Sequence, residues 1–135
     1  MDNQEIQKRR ARIEALRSDN ASLQKKITNL EALGDQAAEK SRLLDSLRGD
    51  LDTIAVQVRS CNENSRMLME LANSIHSLVC GGTANQSEQD LISTRGEIQG
   101  KISEAEDQIL QNNTTISRLE EEIYQLQSEM TEVVP

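Results

Sequence analysis

The chain has 135 residues, the length of one small domain, with no Trp, no Phe, one Tyr (Tyr124), one Pro (Pro135) and six Gly against 28% charged residues. Without aromatic bulk a sheet or a layered globule has little large apolar surface to bury, so the core must come from repeated Leu, Ile and Ala on long helices. No Pro precedes residue 135, so nothing removes a helical backbone donor along the way.

The formal net charge is −8 and is unevenly spread. Residues 1–26 hold seven Lys/Arg against four Asp/Glu, residues 27–80 hold five against eight, and residues 81–135 hold three against eleven. An acidic final third repels phosphate backbones, which argues against nucleic acid as a partner. The basic start, Lys8, Arg9, Arg10, Arg12 and Arg17, has no aromatic neighbour to stack on bases and reads as a solvated helix face. No apolar run approaches the ~20 residues that a bilayer span needs. Met1-Asp2-Asn3-Gln4-Glu5 lacks the apolar stretch of a signal peptide, so the expectation is a cytoplasmic protein that, if secreted, leaves without a cleaved leader.

The first segment carries a seam at Ile6, Ile13, Leu16, Leu23, Ile27 and Leu30, with the polar Asn20 among them. One seam row then continues through Leu30, Ala37, Leu44 and Leu51. Its companion changes spacing, from Ile13 and Ile27 to Leu47 and Ile54, with Leu33 in the transition. That is a three-residue slip, which overwinds a coiled coil locally. The predicted element is one long helix over 4–80 that bends or folds back at Gly34. Its later part is lined by Leu44, Leu47, Leu51, Ile54, Val58, Cys61, Leu68, Ala72, Ile75 and Val79, with Ser65 as the polar exception.

A turn is predicted over 81–87, with Gly81 as a left-handed helix cap and the short loop making antiparallel neighbours. A second long helix is predicted over 88–133, capped by Ser87 and lined from Leu91 through Ile98, Ile102, Ala105, Ile109, Ile116, Leu119, Ile123, Leu126 and Met130 to Val133, interrupted by Arg95 and Asn112. A turn centred near residue 84 places Val133 opposite Asp35 and leaves residues 6–33 without cover. The fold class is therefore all-α: a long antiparallel, coiled-coil-like helical hairpin, with the N-terminal helix extended or folded back as a third. An uncovered apolar stripe favours association, so Ile6, Ile13, Leu16, Asn20, Leu23, Ile27 and Leu30 are the expected partner-binding residues. Asn112, an amide on an apolar seam, is expected to set register.

Little chemistry is available. His76 is the single histidine, and neither Cys61 nor Cys80 has the base that nucleophilic catalysis requires. At 19 residues apart on one helix the two thiols lie roughly 28 Å apart and cannot bridge. Glu120, Glu121 and Glu122 point 100° apart on a helix, and Gly81-Gly82 lacks the Lys and Ser/Thr of a phosphate loop. The expectation is no enzyme, cofactor or metal site.

Two long helices around the segment Val79-Cys80-Gly81-Gly82-Thr83-Ala84 resemble the WXG-type helical proteins exported by type VII secretion systems, and more closely the YwqH-like partners of LXG toxins. Val79, Gly81 and Ala84 keep the spacing of that family's Trp-x-Gly-x-x-Ala turn motif, with Val79 in the Trp position; Tyr124 has Ser128 where the family's export signal has an acid. The resemblance implies a chaperone or targeting factor paired with the helical N-terminal region of a secreted toxin. The alternative is a self-assembling structural coiled coil or adaptor, for example a homodimer.

Overall fold

The computed structural model describes residues 2–60 and 66–133. The chain is all-α, with helices α1 (Asp2–Ser60), α2 (Arg66–Cys80) and α3 (Gly82–Val133) and no strand among the described residues. It is an antiparallel helical hairpin. In one contact unit, formed by Met1–Glu31 with Gly100–Pro135, Arg9 meets Glu122, Arg17 meets Glu120, and Asn20 meets Asn112 and Asn113. In the other, Ala32–Gln99, Arg48 meets Glu88 and Asn85, and Gly34 faces Ile98.

These pairs correct the predicted turn. Partner numbers add up to between 131 and 137, so the reversal centres near residue 66, at the start of α2, and not near residue 84. Residues 82–87 are helical, Ser87 lies inside α3, and Gly81 is a single bend between α2 and α3. A pair of glycines costs a helix only about 1 kcal/mol each. The Val79 and Ala84 side chains on either side, buried and half-buried, outweigh that cost. Gly81 is also no left-handed cap, since no described glycine has positive φ. Its carbonyl accepts from the Asn85 N–H at 3.1 Å, and the Asn85 side-chain amide donates to the Cys80 carbonyl at 3.2 Å. The bend brings the backbone so close that a Cβ at Gly81 would collide with the Ser77 carbonyl oxygen.

Helix α1 passes through Gly34 unbroken, so the chain neither opens nor folds back there, and the span predicted as one helix over 4–80 is described as α1 to Ser60 and α2 from Arg66. The expected roles of Cys61 and Ser65 fall outside the described residues.

The predicted slip in the seam does not occur either. Burial along α1 repeats every seven residues without interruption. One row, labelled a, is Ile6, Ile13, Asn20, Ile27, Gly34, Ser41, Arg48 and Ala55; the other, d, is Leu16, Leu23, Leu30, Ala37, Leu44, Leu51 and Val58. All of them are buried or half-buried. The helix keeps its heptad although the a row turns small and polar after Ile27.

Candidate docking face

The unit formed by 1–31 and 100–135 is closed on itself. Ile6, Ile13 and Leu16 of α1 form one buried cluster with Ile116, Leu119 and Ile123 of α3, and Leu126 and Met130 pack against it. Ile27 is buried, and Leu23 and Leu30 are half-buried. The expected binding arm is thus a correction: these residues form an intramolecular core. The reason is the register, since α3 runs to Val133 and its end lies against the start of α1.

The seam amides in this unit satisfy one another. The Asn112 side chain, buried, donates to the Asn20 Oδ1 at 2.9 Å and accepts from the Gln108 Nε2 at 2.9 Å, while Asn20 donates to the Asn113 Oδ1 at 2.9 Å. A one-heptad shift would unpair these groups on an otherwise apolar seam. At its rim Arg9 donates from Nε to the Glu122 carboxylate at 3.0 Å and from Nη1 to Glu5 at 3.0 Å. The Arg9 hydrogen bond, with Lys8 adding its charge, holds the Glu5 carboxyl below the usual range.

The unit 32–99 is built differently. Its buried hydrophobics are Ala37, Ala55, Ala72 and Val79. Leu44, Leu51, Leu68, Ile75, Leu91 and Ile98 are only half-buried on its seam, and of the twelve large hydrophobics exposed among the described residues, all but Leu110 and Tyr124 belong to this unit. Arg48 occupies a seam position, donating to Glu88 at 2.6 Å and Asn85 at 3.3 Å, yet its Nε is buried without a partner.

The exposed side chains fall in rows. Row g of α1, one residue before row a, reads Glu5, Arg12, Asp19, Lys26 in the first unit and Leu33, Lys40, Leu47, Ile54 in the second. On α2, Leu71 and Leu78 stand in the same relation to buried Ala72 and Val79. Leu47 is 54% exposed, Ile54 45%, Leu71 48% and Leu78 67%. In an antiparallel pair the two g rows lie on the same side of the seam. The opposite side, row e, carries Asp45, Asp52, His76 and Asn85 together with the exposed Met69 and Ile92. The g side is therefore the more apolar of the two between Leu47 and Leu78, and the e side is mixed.

The turn-motif residues Val79, Gly81 and Ala84 sit at the α2–α3 bend, buried, half-buried and half-buried, rather than at the chain reversal. Cys80 is a free, exposed thiol beside them. Among the described residues no group of three His, Cys, Asp or Glu side chains could hold a metal ion, and no helix is long and apolar enough to cross a membrane. No family model, curated protein or solved structure matches the chain.

Proposed function

We propose that this chain is a non-enzymatic helical partner-binding protein, whose docking element is the apolar side of the unit 32–99. The observation that carries this reading is the g row: charged at Glu5, Arg12, Asp19 and Lys26, apolar at Leu33, Leu47 and Ile54. Charged g positions solvate a two-stranded hairpin, whereas apolar ones widen the seam into a surface that a further helix covers. The narrower form, with the helical N-terminal region of a type VII-secreted toxin as client, rests on the spacing of Val79, Gly81 and Ala84 alone.

The test uses the full chain as bait in its native host, comparing wild type with Leu47→Asp, Leu78→Asp and, as a control on the other unit, Leu110→Asp. The reading requires that the first two variants lose the proteins that wild type retains, with helix content by circular dichroism unchanged, and that the control keeps them. Equal retention by all four sinks it.

A further inference from the structure

We infer that the apolar side of the unit 32–99 docks a second copy of this chain, giving a two-fold four-helix bundle; this rests on the docking reading above and names its occupant. The face is formed by Leu47 and Ile54 on α1 and Leu71 and Leu78 on α2, flanked by Leu43 and Met67.

Area is the first argument. A half-exposed aliphatic side chain offers roughly 100 Å², so six give about 600 Å² per copy and about 1,200 Å² for a pair, the lower edge of stable, specific interfaces. A single added helix covers a narrower strip and leaves part of the face wet; a second hairpin, as wide as the first, covers it all.

Geometry is the second. Ile54 on α1 and Leu78 on α2 each stand one residue before a buried seam residue, Ala55 and Val79, and so flank the seam on the same side of an antiparallel pair. A two-fold axis along the hairpin therefore sets the α1 row of each copy, with Ile54, over the α2 row of the other, with Leu78. Every neighbouring pair of helices is then antiparallel, the usual arrangement of a four-helix bundle.

Charge is the third. The chain carries −8, which opposes self-association over most of its surface. On the rows that form the face, Leu33, Gln36, Lys40, Leu43, Leu47, Asp50, Ile54 and Gln57 on α1 with Met67, Leu71, Ser74 and Leu78 on α2, the charges are Lys40 and Asp50, which cancel, while the same rows of α3 add Asp90 and Glu97 beyond Leu47. The part built by α1 and α2 is neutral, and it is where two acidic copies can meet.

The experiment is sedimentation equilibrium on the purified full chain under reducing conditions, which removes any link through Cys80, over roughly 1–100 μM. The expected result is a dimer that Leu47→Asp and Leu78→Asp each weaken at least ~10-fold and that Leu110→Asp leaves intact. Lys40→Glu, which makes each face net acidic, is expected to weaken it by less. A wild-type monomer throughout this range overturns the second-copy assignment, while the native-host comparison still decides the docking reading. A dimer that tolerates both Leu47→Asp and Leu78→Asp overturns it too, by placing self-association elsewhere.

Discussion

The two units run on the same heptad and differ in what occupies it. In the first, Ile and Leu fill the seam, the polar exceptions Asn20 and Asn112 satisfy each other, and the flanking g row is charged. In the second, Ala and Val fill the buried positions, Arg48 enters the seam with Nε unpaired, and Leu and Ile stand on the flank. A buried Leu or Ile stabilises by about 1.5–3 kcal/mol, and Ala by much less. The first unit thus has the better filled core, while the second leaves ten large apolar side chains exposed. The comparison teaches that periodicity alone does not locate a binding surface. Ile6, Ile13, Leu16 and Ile27, expected to be free, are buried, and Leu47 and Ile54, expected on the seam, are exposed.

The largest effect should come from breaking that difference at its centre. Leu16→Ala removes a side chain buried in the first cluster and should cost about 2–5 kcal/mol, counting the cavity left behind. Leu47→Ala, at a position more than half exposed, should cost the dilute chain less than about 0.5 kcal/mol. Urea melts at low protein concentration measure both. Equal losses would mean that the two units are packed alike.

The amide network gives the next effect. Asn112→Ala removes the donor to the Oδ1 of half-buried Asn20 on the seam and should cost about 1–3 kcal/mol. Replacing Asn20 and Asn112 together by Leu removes both polar groups and should raise the melting temperature while loosening register. Spin-label distances across α1 and α3 would then broaden; a single sharp distance with both amides gone would show that the rest of the seam already fixes the register.

Much of the fold was legible and the site was not, for a physical reason. Helical class and antiparallel hairpin follow from missing aromatics and Pro together with the Leu and Ile spacing. Choosing the turn required judging what Gly81-Gly82 can do: at about 1 kcal/mol per glycine the pair bends the chain at Gly81 between two helices and does not reverse it. A reversal at residue 84 instead of 66 shifts every partner by about 36 positions, roughly two thirds of the 52 residues of α3, and would leave Ile6 to Leu30 uncovered. The signal that would have prevented it was in the chain. Ile6, Ile13, Asn20, Ile27, Gly34, Ser41, Arg48 and Ala55 keep a strict seven-residue step that an apolar-only reading abandons at Gly34 for Leu33, Leu47 and Ile54.

The two glycines with a structural role should respond in opposite directions. Gly34→Ala places its Cβ 3.6 Å from the Ile98 Cγ2, an ordinary contact, and relieves the helix of a flexible residue. It should stabilise by about 0.5–1 kcal/mol. Gly81→Ala drives its Cβ into the Ser77 carbonyl and should destabilise by at least ~1 kcal/mol, or straighten the α2–α3 bend. Thermal melts give the signs. A neutral Gly81→Ala would mean that the bend relaxes freely.

Electrostatics should give the smallest effect and should not separate the units. Each contains an intrahelical carboxylate held below its usual range: Glu5 chiefly by the hydrogen bond from Arg9, and Glu39 by the one from Arg42. Because these folded-state values lie below the unfolded value, near ~4.3, the stability they contribute is complete above that pH and is lost as pH falls through the folded values. Both groups are fully exposed, so solvent and salt screen the gain. Melting temperatures between about pH 6 and 3 should therefore fall slightly less steeply in Glu5→Gln and in Glu39→Gln than in wild type. The two variants should differ little, and the effect should vanish at about 1 M salt. A steep, salt-resistant loss confined to one variant would mean that charge distinguishes the two units, whereas a common shallow loss leaves packing at Leu16 against Leu47 as the difference between them.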